Sequence, residues 1–125
     1  MATLTEFTLR SGRRADVIAL DEAGDIAIVE VKTSPADLRA DGKWPEYLAF
    51  CDRFYFAVPA DFPREALPAD GCGLMVADAY AAEVLRPAPR EPLHASRRKA
   101  LTLRFARVAG QRLLRHLDPG PGGPA

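Results

Sequence analysis

A chain of 125 residues, 48% apolar and 27% charged, has the size and composition of one ordinary globular domain, large enough to bury about two-thirds of its unfolded surface. No apolar run nears the roughly 18 residues of a membrane span, and the N-terminus lacks the basic and then apolar stretch of a secretory leader, which argues against a membrane and for the cytoplasm. The formal net charge of zero hides an asymmetry: residues 1–91 carry 16 acids and 10 bases, whereas Pro92 to Leu117 carries seven bases and no acid, the pattern of an acidic body beside an arm that meets a polyanion.

The first strand is read over Leu4 to Leu9, with Phe7 and Leu9 on one side and Glu6 and Thr8 on the other. Arg10-Ser11-Gly12 then reads as a three-residue turn with glycine in the left-handed third place, which pairs Leu9 with Arg13, Thr8 with Arg14 and Glu6 with Asp16. A two-residue Ser11-Gly12 loop would shift the pairing by one and send Glu6 to the other face. Val17 to Leu20 and Ile26 to Val31 are β-branched and aliphatic runs of strand length, joined through Asp21-Glu22-Ala23-Gly24-Asp25. A Glu22-Ala23-Gly24 loop pairs Asp21 with Asp25, and so Leu20 with Ile26, Ile18 with Ile28, Asp16 with Glu30 and Arg14 with Lys32.

That register sets like charges against each other. Directly opposed side chains have Cβ atoms about 4.5–5.5 Å apart, and two carboxylates there repel by roughly 1–4 kcal/mol, depending on how wet the site is. A hard divalent cation turns the repulsion into binding, because Mg²⁺ takes oxygen ligands and often only one or two carboxylates, with water and phosphate completing its shell. Glu6, Asp16 and Glu30 are therefore expected in one acidic row across three antiparallel strands, and Thr8, Arg14 and Lys32 in the next.

After Lys32, Ser34 as N-cap, Pro35 at the first helical place and Asp37 at the third start a helix that Gly42 interrupts early. A second helical piece is expected from Pro45 to Cys51, with Trp44, Tyr47, Leu48 and Cys51 on one face. Arg53 to Val58 is apolar on both faces and reads as an interior strand beside the third, reached by a βαβ crossover. Past a proline-bearing link, Gly73 to Ala77 is another strand and Ala82 to Arg86 its hairpin partner. Cys51 and Cys72 lack metal or disulfide spacing and are expected reduced and partly buried. Pro87, Pro89 and Pro92 make a stiff linker. Ser96 caps a last helix running to Leu117, with Leu101, Phe105, Val108, Leu117 and Leu113 or Leu114 in an apolar stripe and arginines elsewhere. The Pro-Gly-rich end reads as disordered.

Asp16 followed, after a hairpin, by Glu30-Val31-Lys32 resembles the active-site signature of the PD-(D/E)xK nuclease superfamily, with Ala15 where that pattern has proline. The longer text GRRADVIALDEAGDIAIVEVKTSPADLRADGKWPEYLAFCDRFYFAVP resembles more narrowly the MmcB family of DNA repair endonucleases. The resemblance implies an α/β fold: a restriction-endonuclease-like mixed sheet, strands one to three antiparallel, then a crossover helix and further strands, flanked by helices. The helix that usually opens that fold, often with another acid, has no counterpart before the first strand. Residues 3–87 would be the nuclease-like core, 88–117 the linker and basic helix, and 118–125 the tail.

The resemblance also implies roles. Asp16, Glu30 and the carbonyl of Val31 would bind Mg²⁺ or Mn²⁺, with Glu6 as a supplementary ligand, and Lys32 would act on the attacking water and the phosphate charge. DNA is the expected partner. Arg13, Arg14, Arg39 and Lys43 near the acids, and Arg97, Arg98, Lys99 and Arg104 on the last helix, are the candidate phosphate contacts. A homodimer is compatible with cutting both strands. The plain alternatives are solvated acids on an outer face, Lys32 as a structural ion pair, and an ordinary amphipathic last helix. Against the first stand two independent turn signals and the apolar runs around Asp16 and Glu30. The leading reading is a metal-dependent DNA endonuclease in repair; the runner-up is a non-catalytic nucleic-acid-binding module on the same fold, and a protein-interaction domain is third.

Overall fold

The structure, a computed structural model, describes residues 1–117. Six strands form one mixed sheet in sequential order: β1 (Ala2–Thr8), β2 (Arg14–Leu20), β3 (Ile26–Val31), β4 (Arg53–Val58), β5 (Gly73–Ala77) and β6 (Ala82–Arg86). The first three are antiparallel, β4 and β5 join parallel to β3, and β6 returns antiparallel with a bulge between Leu74 and Met75. The fold is mixed α/β, with two α-helices among the described residues, α1 (Pro35–Ala40) and α2 (Ala95–Leu117). The chain divides into two compact units, Met1–Leu93, which holds the whole sheet, and the segment from His94, which holds α2.

Both early turns take the three-residue form. The Asp21 amide donates to the Asp25 carbonyl at 3.0 Å and the Gly24 amide to the Asp21 carbonyl at 3.1 Å, with Gly24 at φ +91°. Leu20 therefore pairs with Ile26 and Ile18 with Ile28, as the loop length dictates. The first turn repeats the pattern: the Leu9 amide donates to the Arg13 carbonyl at 2.7 Å, and Thr8 pairs with Arg14. The two-residue alternative is thereby excluded. One departure follows: Glu6, between the pairs Thr5–Val17 and Phe7–Ala15, has φ +49° and is exposed. A left-handed residue breaks the alternation of strand geometry, so Glu6 does not continue the regular face on which Asp16 and Glu30 were expected to meet it.

The Ser34 hydroxyl accepts the Asp37 amide at 3.1 Å and Pro35 opens α1, the expected start. The next segment, Trp44–Phe50, is a 3-10 helix rather than the α-helix expected from Pro45 to Cys51. At three residues per turn, Trp44, Tyr47 and Phe50 line up, whereas an α-helical face would have brought in Leu48, which is exposed. This ridge lies on β4. Trp44 stacks on Phe54 with centroids 5.3 Å apart and meets Phe56 edge-on at 5.4 Å, while Tyr47 stacks on Phe54 at 5.8 Å. Each fully buried large ring contributes roughly 1.5–3 kcal/mol by leaving water. The aromatic layer holds the Trp44–Phe50 segment on β4, and the Tyr47 hydroxyl reaches the Arg14 carbonyl, two residues before Asp16.

The proline-rich stretch after β6 is pinned to the sheet unit. Asp52, 1% exposed, accepts the Ile26 amide at 2.7 Å and the Leu93 amide at 2.9 Å, and its carbonyl accepts the Glu91 amide at 2.8 Å. Arg90 clasps Asp25 at 2.7 and 2.9 Å. A Cβ on Gly73 would stand 2.6 Å from the Ala88 nitrogen and 2.5 Å from the Tyr55 ring, so only glycine permits this approach. Cys51 and Cys72 are buried thiols without a disulfide.

In the second unit, α2 begins at Ala95, and the Arg98 amide donates to the His94 carbonyl, so Ser96 lies inside the first turn and is not the cap. Leu101 and Phe105 are buried, but Leu113, Leu114 and Leu117 are 57%, 65% and 72% exposed, so the expected apolar stripe is covered only toward the N-terminal half. No helix among the described residues is long and apolar enough to cross a membrane. The expected disordered tail, 118–125, lies outside the described residues.

Candidate functional site

The β2–β3 ladder ends at Val17–Val29, and beyond it side chains replace backbone pairing. The Asp16 amide donates to Glu30 Oε2 at 2.8 Å, and the Val31 amide donates to Asp16 Oδ2 at 2.8 Å. Each strand thus holds the other's carboxylate with a main-chain N–H. The reciprocal arrangement follows from the register argued from loop length, because Asp16 and Glu30 occupy the next facing positions after Val17–Val29.

Glu30 is only 3% exposed. Burial drives its carboxyl up to about 7 from the usual 4.5; the Asp16 amide pulls it down, the Asp16 charge pushes it up, and Tyr47 and Lys32 oppose the rise more weakly. A buried acid set against another acid, with one oxygen of each tied to a backbone amide, presents hard oxygen donors of the type that suit Mg²⁺ or Mn²⁺. Among the described residues no group of three or more His, Cys, Asp or Glu gathers at metal spacing. The expected acidic row is therefore a pair, and Glu6 is not joined to it in a metal-sized cluster.

Lys32 is 7% exposed, and its Nζ donates to Asp41 Oδ2 at 3.1 Å. Asp41 Oδ1 lies 3.5 Å from Arg13 Nη1. Arg13 also meets Glu46, with Nε 3.4 Å from Oε1, and its guanidinium carbon stands 5.4 Å from the Tyr47 ring centroid. The hydrogen bond to Glu46 raises the Arg13 pKa further. Tyr47 donates to the Arg14 carbonyl at 3.1 Å, and burial pushes its phenol up to about 12. The 3-10 helix is thereby tied through the Tyr47 hydroxyl to the strand that carries Asp16.

Arg13, Lys32 and Lys43 line an open cleft of about 420 Å³ together with Asp37, Ala40, Asp41 and Gly42. Arg14 and Arg39 are exposed and outside that lining. Arg97, Lys99 and Arg104 are exposed and Arg98 half-buried on α2, in the second unit. The structure therefore brings together Asp16, Glu30 and the Val31 amide, with the Lys32 charge acting on Glu30, and gathers Lys32, Arg13 and Lys43 in a cleft whose lining includes neither acid.

Sequence reasoning missed Asp41 and the Tyr47 hydroxyl. Asp41 follows the last turn of a six-residue helix and carries no motif. The one available signal was the apolar run leading into Lys32, since a lysine buried at the end of such a run requires a counter-ion. Tyr47 was read as core, which its 4% exposure supports, but its hydroxyl reaches the site.

A family model described as DNA repair protein MmcB-like matches residues 1–120. A solved structure of a protein of unknown function from Silicibacter pomeroyi is 47% identical and superposes with a TM-score of 0.88, covering 94% of this chain and 80% of that one. No curated protein matches the chain.

Proposed function

The chain belongs to the MmcB-like family of DNA repair proteins, and from that premise we propose that it is a metal-dependent DNA endonuclease on a restriction-endonuclease-like fold, with its active centre where β2 and β3 part. The observation that carries the reading is the interlocked Asp16–Glu30 pair, one member buried, with Lys32 two residues after Glu30, just past the end of β3.

Asp16, Glu30 and the Val31 carbonyl would hold Mg²⁺ or Mn²⁺, and water and substrate phosphate would complete the shell. When bound, the ion would polarise the scissile phosphate and lower the pKa of a coordinated water. The protein's own residues do the rest. Glu30 gives up its proton as the pH passes about 7 and becomes a stronger ligand. The backbone amides of Asp16 and Val31 fix the rotation of both carboxylates before substrate arrives. Lys32 stabilises negative charge as it grows on the phosphate oxygens and orients the attacking water. Arg13 and Lys43 meet the flanking phosphates.

A second reading, a nucleic-acid-binding module without catalysis, draws on one observation: the Lys32 ammonium is engaged by Asp41. Incubation of supercoiled plasmid with the protein and Mn²⁺ separates the two. Nicking is expected, reduced about a hundredfold or more in Lys32→Ala and Asp16→Asn. Wild-type protein that binds DNA and leaves it uncut would establish the module instead.

A further inference from the structure

Asp41 meets two cations with its two oxygens, Oδ2 on Lys32 at 3.1 Å and Oδ1 toward Arg13 at 3.5 Å. A phosphodiester presents its two non-bridging oxygens to paired cations in the same manner. The second acid of the cleft behaves differently: Asp37 is committed to the chain, its Oδ2 accepting the Thr33 amide at 3.1 Å. Asp41 gives its carboxylate to side chains alone, with no backbone donor among the described residues on either oxygen. It stands just past α1 with φ −103° and ψ 62°, its own amide bonded to the Leu38 carbonyl. Beyond it the wall is open, since a Cβ on Gly42 would meet nothing within 4 Å. Lys43 adds a third cation to the lining.

We propose that this cleft is a phosphate subsite and that Asp41 is its built-in stand-in: a substrate phosphate displaces the Asp41 carboxylate from Lys32 and Arg13. The proposal rests on the nucleic-acid reading above and does not depend on catalysis. The consequence is a threshold. A small monoanion offers nothing beyond what Asp41 already supplies, whereas a polyanion, whose other phosphates release counter-ions elsewhere on the protein, displaces it. Asp41 would thus restrict Lys32 to long nucleic acid and keep the buried ammonium paired in its absence.

The test is binding of a short fluorescein-labelled DNA duplex to the full-length protein in EDTA, read by anisotropy. Asp41→Asn removes the competing charge and keeps the shape, so it is expected to bind about tenfold more tightly at low salt, with a salt slope steeper by about one counter-ion. In the double variant Lys32→Met with Asp41→Asn the gain is expected to vanish. Unchanged or weaker binding by Asp41→Asn overturns the proposal. Should Asp41→Asn fail to fold, the wild-type protein with isotope-labelled aspartate decides: the Asp41 carboxylate resonance is expected to move on adding duplex in EDTA, and an unmoved resonance overturns displacement. Because neither readout needs cleavage, an uncut plasmid with tighter Asp41→Asn binding sinks the nuclease reading alone. Nicking with unchanged Asp41→Asn binding sinks the stand-in alone.

Discussion

A buried carboxylate stands at each end of β3, and the two are built in opposite ways. At the start of the strand Asp52, 1% exposed, accepts a backbone amide on each oxygen, from Ile26 and Leu93. Near its finish Glu30, 3% exposed, accepts the amide of Asp16 and faces the Asp16 carboxylate. Both are held by main-chain N–H groups and both have a second acid nearby, yet the acid near Asp52 is Asp25, which Arg53 and Arg90 pair, whereas the acid beside Glu30 is Asp16. Amide donors on both oxygens fasten a loop, whereas opposed acids make it costly to ionise both, and that cost is what the proposed cation would relieve.

The comparison breaks most severely at the structural end. Asp52→Ala orphans the Ile26 and Leu93 amides and is expected to cost about 2–4 kcal/mol in urea unfolding, with the Mn²⁺-induced thermal shift retained. A loss of the shift at temperatures where the variant is folded would show that the two ends are not independent.

Glu30→Gln is expected to act in the opposite sense. The folded carboxyl titrates near 7 and the unfolded one near 4.5, so the native state binds more protons between those values. The stability owed to neutral Glu30 is complete below about pH 4.5 and lost as the pH rises through 7. Glutamine stays neutral, so the variant should exceed wild type by up to roughly 3 kcal/mol at pH 8 and show a flatter slope between pH 4.5 and 7. It should also lose the Mn²⁺ shift. A variant less stable than wild type at pH 8 would show that ionised Glu30 is already well accommodated.

The smallest of these changes sharpens the contrast at the turn near Asp52. Gly24 has φ +91° and open space where a Cβ would go, so Gly24→Ala carries backbone strain without a clash. It should cost about 1–3 kcal/mol, and toward the lower limit if the Asp21 side chain, which accepts the Ala23 and Asp25 amides at 2.9 Å, holds the loop. Nicking by Gly24→Ala should match wild type if the register at Asp16 and Glu30 survives.

Much of the sheet was legible because its information is local. Gly12 and Gly24 in the third loop places set both early registers, and alternating residues then assigned Ile18 and Ile28 to one face and placed Asp16 opposite Glu30. Local signals misled where two periods compete. Trp44, Tyr47 and Cys51 fit an α-helical face, yet the packing of Trp44 and Tyr47 on Phe54 draws the segment into three residues per turn. Glu6 fitted the alternation as well, and no residue pattern disclosed its positive φ.

By itself, then, the sequence determined which strands pair, where they turn and that two acids face each other beside a lysine, since turn geometry and the two-residue period of a strand act over a few neighbouring residues. Tertiary structure alone decided that Glu30 is buried enough to titrate near 7, that Asp41 takes Lys32 and Arg13, and that Tyr47 reaches the Arg14 carbonyl. Those properties depend on which distant groups exclude water and supply charge at one point, and no spacing along a chain encodes them.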